Sequence, residues 1–310
     1  MADLRTHRPD LEALEYARPS YLTDQIFPML PRAMQQGTIY YQDLQSASSA
    51  QDGRTAGNAP TENTVADAKT TFNLENDELF DRQKIPDNQV SSLGGLDAAQ
   101  QMAARRGKRS VGNAIEDLTV ANVLANGSLS YTDIGTSLVS AVSVGFDTLA
   151  DLAGDGPIVL ALSSRLFTLV KRYDEVVERM QFTGVLPQSV RDVRGISKAQ
   201  LAATLGVDDV IVGNNEQWYT QSATYRDRSA LIKLPAAGID PIETPQVGRT
   251  IWFSPDGLEP APEALFEIHS WYNKDKVSEI VDIRVYAEQS VYNVEHIYGL
   301  AGLDTALITS

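Results

Sequence analysis

The chain has 310 residues, with 41 Asp or Glu against 26 Lys or Arg, three His and no Cys, for a net charge of −15. The absence of cysteine excludes disulfides and thiolate metal centres, and three histidines leave little for a multi-histidine site. The acidic balance opposes a protein built to grip nucleic acid, which needs a basic face. A chain of this length buries roughly three quarters of its unfolded surface and has a prior of about two domains. The first twenty residues hold no apolar run of seven, so no signal peptide is expected. The longest apolar run, Ile158–Leu162, is too short to span a bilayer, and the chain is expected to be made and kept in the cytoplasm.

Residues 1–36 carry Pro9, Pro19, Pro28 and Pro31, which break helices and favour extended backbone. They are expected to form an arm with one short helix. From Tyr41 to Thr70 the large apolar residues are Tyr41, Leu44 and Val65, among Ser, Thr, Asn, Gln and Gly, with turn signals at Asp52-Gly53 and Ala56-Gly57-Asn58. Such a stretch cannot offset its own ordering entropy from its own core. A neighbouring chain is the simplest source of order for it.

Organised structure is expected from about Leu93. Asp97 caps a helix of about 25 to 30 residues, with Val111, Ala114, Ile115, Leu118, Ala121 and Ala125 as a buried stripe. Gly107 and Gly112 predict a bend, and Asn126-Gly127 a left-handed stop. A helix over Ser137–Ala153 follows, then a strand over Ile158–Leu162 and a third helix from Ser163 or Ser164 through Met180. Ser197-Lys-Ala-Gln has the form of a capping box, closed by Gly206, before a strand over Val207–Val212. Further strands are read at Ser229–Leu234, Thr250–Phe253, Phe266–Tyr272 and Val281–Ala287, with a last strand or turn over Tyr292–Tyr298. The alternation in Val281–Ala287 predicts one buried and one wet sheet face. The class is α+β.

Chemistry is sparse. There is no phosphate-binding glycine loop, nucleophile elbow or zinc-protease helix motif. His269 reads as a strand histidine on a polar face or at a subunit contact, His296 similarly, and His7 as solvated. Asp208 and Asp209 are adjacent in a strand and point apart, while Asp174, Glu175 and Glu178 share a helix with Lys171 and Arg179 as surface ion pairs. Arg105-Arg106-Gly107-Lys108-Arg109 is a local basic cluster. It reads as a contact for nucleic acid or an acidic partner, or as a solvated helix face with opposite charges across a subunit boundary. Trp218-Tyr219 and Tyr225 lie in a polar stretch, at an interface or tucked against their own domain. No residue is assigned a catalytic, cofactor-binding or metal role.

The order of features, with three segments, resembles the major capsid proteins of tailed bacteriophages, the Hong Kong 97-type fold. The segments are Gly195-Ile-Ser-Lys-Ala-Gln-Leu-Ala-Ala-Thr-Leu-Gly-Val-Asp-Asp-Val-Ile-Val-Gly, Ala264-Leu-Phe-Glu-Ile-His-Ser-Trp-Tyr and Val281-Asp-Ile-Arg-Val-Tyr-Ala-Glu-Gln-Ser. The resemblance implies an N-terminal arm over 1–36, an extended loop over 37–92 and the spine helix of a peripheral domain over 93–130. An axial domain over 131–265 follows, with return strands of the peripheral domain over 266–310. It further implies a non-enzymatic shell subunit that assembles with itself into pentamers and hexamers of a virion head around double-stranded DNA, bound without sequence specificity. A separate scaffolding protein, a portal and decoration or cement proteins are the implied partners, with no membrane and no cofactor. Interface residues are then expected at Asp52, Gly53, Arg54, Asn58 and Lys69 of the loop and at Trp218 and Tyr219. Some members cross-link a loop lysine to an asparagine, but no matching motif carries that chemistry to Lys69. Encapsulin-type nanocompartment subunits share the same fold and hold protein cargo; an unrelated enzyme with a Ser or carboxylate site is the remaining alternative.

Overall fold

The computed structural model describes residues 5–15, 21–41, 68–74, 78–124, 131–134, 137–182, 196–213, 226–235, 243–253 and 266–303. The arm holds β1 (Thr6–His7), α1 (Pro9–Glu12), α2 (Thr23–Ile26) and β2 (Met29–Arg32), and β3 (Gln36–Tyr41) follows at its end. Then come β4 (Ala68–Asn73), β5 (Glu78–Pro86), α3 (Asp87–Val90), the long helix α4 (Leu96–Leu124) and β6 (Tyr131–Asp133). A second α/β region contains α5 (Leu138–Ala150), β7 (Ile158–Ser163), α6 (Ser164–Val170), α7 (Asp174–Phe182), α8 (Lys198–Leu205), β8 (Asp209–Gly213) and β9 (Ser229–Lys233). The chain closes with β10 (Gly248–Phe253), β11 (Glu267–Asn273), β12 (Ser278–Val291), a 3-10 turn (Val294–His296) and β13 (Ile297–Ala301).

Two main sheets organise these elements. The larger has the order β1-β11-β12-β10-β2, with β5 also paired to β12. The smaller has the order β6-β13-β9-β7-β8, and β3 and β4 form a separate hairpin. The small alanines of α4 let it lie close on the larger sheet, where Ala99, Ala103, Ala104, Val111 and Ile115 meet Ile268, Val281, Ile283 and Val285. The smaller sheet has its own core, in which Leu138, Val142 and Leu149 of α5 pack with Leu160, Leu162, Leu166, Leu201 and Leu231. The last turns of α4 and the arm bridge the two: Leu22, Ile26 and Phe27 pack with Val120, Val123 and Leu124 and with Val159, Ala161 and Ile232.

Local chemistry explains where the elements begin. Ser137 caps α5 by accepting from the Ser140 amide, and Ser163 caps α6 by accepting from the Leu166 amide. Ser197 and Gln200 form the capping box that opens α8, and Gly206 closes it at φ 78°.

Several expectations are corrected. Gly107 and Gly112 lie within the continuous helix α4 and permit close approach, since a Cβ at Gly107 would lie 2.3 Å from Cδ1 of Ile283 and one at Gly112 2.7 Å from the Tyr21 hydroxyl. The expected third helix is two helices, interrupted at Lys171–Tyr173. Regular structure begins well before Leu93, because β5 pairs with β12 from Glu78↔Tyr286 to Pro86↔Ser278. The face of β12 expected to be wet is partly closed: Asp282 is fully buried and binds Arg284 and Arg82. Asn126-Gly127 lies outside the described residues.

Candidate assembly surfaces

The arm is fixed to its own chain by buried charges on α4. The Glu116 carboxylate is buried and accepts from the amides of Leu22 and Thr23, at 2.8 and 3.1 Å, and from the Thr23 hydroxyl at 2.9 Å. Burial pushes its pKa up, against the downward pull of those donors. One turn along, Thr119 shares a hydrogen bond of 2.6 Å with Thr23. Lys108 is also fully buried. Its Nζ donates to the carbonyls of Glu12 and Leu14, at 2.7 and 2.9 Å, and lies 5.4 Å from the Phe266 ring centre. Two ionic side chains inside a helix therefore supply partners to backbone groups of a segment with little regular structure of its own.

The arm's first strand lies on the sheet edge, where His7 faces His269 across the β1–β11 pair with ring centres 5.4 Å apart. Each histidine has a carboxylate at 2.7 Å, Glu12 for His7 and Glu267 for His269. Beside them Trp271 lies under two guanidinium groups, Arg5 at 4.9 Å and Arg82 at 5.3 Å. Arg284 bridges Asp282 and Glu78, at 2.6 and 2.8 Å. The expectation of a polar-face histidine at 269 agrees with this geometry, and His7 is half-exposed rather than free of partners.

His296 is a different case. It is buried, its Nε2 lies 3.0 Å from the Ala153 carbonyl oxygen, and its pKa is lowered to about 4 by burial, with Lys233 adding to the shift. Lys233 is itself buried and donates to the carbonyls of Leu149 and Leu152 at the C-terminal end of α5, at 3.2 and 2.6 Å. Burial also lowers the Lys233 pKa, while Asp155 raises it. This cluster secures the turn after α5 and forms no open cleft.

The root of the polar excursion is well anchored. Strands β3 and β4 pair from Gln36↔Asn73 to Tyr41↔Ala68, with Ile39, Phe72 and Leu74 packed on Ile251. Tyr41 stacks on Tyr292 with ring centres 4.7 Å apart. Lys69 sits exposed on β4, opposite Tyr40. Asp52, Gly53, Arg54, Asn58, Trp218 and Tyr219 lie outside the described residues, so Lys69 is the one expected interface residue that can be placed. Exposed apolar side chains include Phe182 at 92 %, Met34 at 72 % and Phe80 at 60 %, the last on the outer strand β5.

The charge clusters resolve differently from each other. Within Arg105–Arg109 the lysine is internal, while Arg105, Arg106 and Arg109 stay exposed. On α7, Glu175 also tethers the start of α5, accepting from the Ser137 hydroxyl at 2.6 Å. Asp208 accepts from the Ile158 amide at 2.7 Å and so joins two strand starts. Among the described residues no group of three or more His, Asp or Glu could hold a metal ion, and no helix is long and apolar enough to cross a membrane. The roles of Glu116, Lys108, Lys233 and His296 were not legible as a set. An isolated charged residue on the apolar stripe of a helix, such as Glu116 one position after Ile115, is the signal that could have found them.

No family model matches the sequence, and no curated protein matches it. Solved structures do. A phage-related protein from Bordetella bronchiseptica RB50 has a TM-score of 0.67 at 16 % identity, covering 96 % of this chain and 98 % of its own. The capsid of an empty GTA particle has a TM-score of 0.56 at 13 % identity, with 93 % and 92 % covered. The capsid of cyanophage P-SCSP1u has a TM-score of 0.54 at 10 % identity, with 93 % and 90 % covered. At these identities the likeness is one of fold, and it runs nearly end to end. The chain has the α+β Hong Kong 97-type fold of phage capsid proteins.

Proposed function

We propose that this chain is the structural subunit of a closed shell, the major capsid protein of a phage head that self-assembles into pentamers and hexamers and encloses double-stranded DNA. The observation that carries the reading is the fold shared with capsid subunits over 93 % of the chain. The anchored hairpin β3–β4 supports it, because the polar sequence between its strands is one that a neighbouring subunit can order. The expected contacts at Asp52, Gly53, Arg54, Asn58, Lys69, Trp218 and Tyr219 belong to this proposal, as do a separate scaffolding protein, a portal and decoration proteins. So does the absence of enzymatic activity. The acidic surface suits a wall that does not adhere strongly to packed DNA.

Electron microscopy of the expressed and purified protein, or of particles carrying it, tests the proposal. Closed icosahedral shells containing nuclease-protected DNA are the expected result. A stable monomer under every assembly condition overturns the shell reading, and shells filled with protein cargo instead of DNA transfer it to a nanocompartment.

A further inference from the structure

Two helices of this chain expose stripes of matching span and opposite charge. On α4, Met102, Arg106 and Arg109 face outward on one side, with Met102 43 % exposed. Neither arginine has an ion pair among the described residues. On α5, Val144, Asp147 and Asp151 line the exposed side, with Val144 54 % exposed and neither aspartate ion-paired among the described residues. The stretch 137–157 contains no lysine or arginine at all. Each stripe runs from an apolar residue to its second charge in seven positions, about 10.5 Å at helical rise.

We infer that the arginine stripe of α4 docks on the aspartate stripe of α5 from a second copy of the chain. With the two helices running in the same direction, Met102 falls beside Val144, Arg106 beside Asp147 and Arg109 beside Asp151. The reversed direction would set the methionine against a carboxylate and leave an arginine on valine. The complementary faces are different surfaces of one subunit, which is the head-to-tail contact that closes rings. This inference rests on the shell reading and names one contact within its rings. Charge complementarity favours a second copy over nucleic acid, because the isolated basic face finds its matching spacing and apolar neighbour on this same chain.

The test is a charge swap read by electron microscopy and sedimentation. Arg106→Glu with Arg109→Glu places like charges opposite each other and is expected to reduce assembled particles about tenfold or more. Asp147→Arg with Asp151→Arg is expected to do the same. All four substitutions together restore the opposite-sign pairing and are expected to recover assembly. Circular dichroism and melting of the unassembled subunit check that each variant folds. Normal assembly of either double variant overturns the inference, as does a folded quadruple variant no better than the doubles. Intact but DNA-free particles from Arg106→Glu with Arg109→Glu overturn it in favour of nucleic acid as the occupant. Failure of the shell reading itself shows separately, as a wild-type protein that forms no closed particle.

Discussion

Lys108 and Arg109 are neighbours in one basic run, yet they do different work because a helix turns each residue by about 100°. Arg109 faces water, whereas Lys108 is buried, faces the arm and donates to two of its carbonyls. Lys108→Met keeps the stem and removes the donors, so the unassembled subunit should lose about 1–3 kcal/mol. Arg109→Met should stay within about 0.5 kcal/mol. Chemical denaturation of the two variants decides the matter, and equal losses would refute the buried role. His296 makes a second residue-scale expectation. Its folded-state pKa is depressed from 6.5 to about 4, so the unfolded chain binds the proton more readily. The stability from the neutral ring is therefore complete above 6.5 and is lost as pH falls toward 4. Between pH 7 and 5 this amounts to about 2 kcal/mol of an eventual 3 or so. His296→Leu forgoes the Ala153 contact at every pH but removes the titration, so its stability gap to wild type should narrow by about 2 kcal/mol over that range. A gap that stays constant would show that the ring does not titrate in this way. The surrounding Lys233 and Asp155 are common to both proteins.

At the scale of elements, the long helix was the most legible feature, but its buried stripe was placed only in part: Val111 and Ile115 are buried as expected, whereas Leu118 is exposed and Gly112, Glu116, Thr119 and Val120 face the interior. Its glycines have a packing role that the sequence reading did not include. Helix propensity sees only the cost of a missing side chain, and Ile283, the sheet residue that makes the missing side chain useful, lies 176 positions away in sequence. The two considerations give opposite signs for Gly107→Ala. Propensity favours alanine by about 1 kcal/mol. Contact with the buried Ile283 opposes it, and overpacking of this kind costs about 1–3 kcal/mol. Net destabilisation is expected in thermal melts of the subunit. Ile283→Val removes the nearer atom that a Cβ would meet, Cδ1 at 2.3 Å, though Cγ1 at 2.9 Å remains, so it should do less harm in the Gly107→Ala background than alone. Additive losses would argue that the helix shifts instead. Strand β5 was missed because its alternation is blurred: Phe80, Arg82 and Lys84 point to the outer face, and charge there reads as loop. The wet face inferred for β12 holds at Arg284 and Tyr286 but not at Asp282, which becomes internal where β5 supplies Arg82 and β12 itself supplies Arg284. Capping signals at Ser163 and Ser197 carried over because they depend on four consecutive residues and nothing distant.

For the whole molecule, composition by segment carried more than total charge did. A polar stretch without its own core, set between β3 and β4, is expected to take its order from outside the fold. The structure sharpens how that dependence can be tested. Tyr41 and Ala68 are directly opposed at the end of the β3–β4 ladder, so the chain leaves and re-enters the hairpin at adjacent points. Removing 42–67 and closing the gap with Asn-Gly should therefore give a tight two-residue turn and leave the hairpin in register. The packing of Ile39, Phe72 and Leu74 on Ile251 is untouched by that excision. The shortened subunit should fold, melt within a few degrees of the full chain and stay soluble, yet form no closed particles under conditions where the full chain does. Because the hairpin root is anchored by its own apolar residues, loss of assembly with retained folding would locate the missing contribution between subunits. Normal shells from the shortened chain would mean that the peripheral and axial regions carry the intersubunit contacts by themselves, and the excursion would lose its assigned reach.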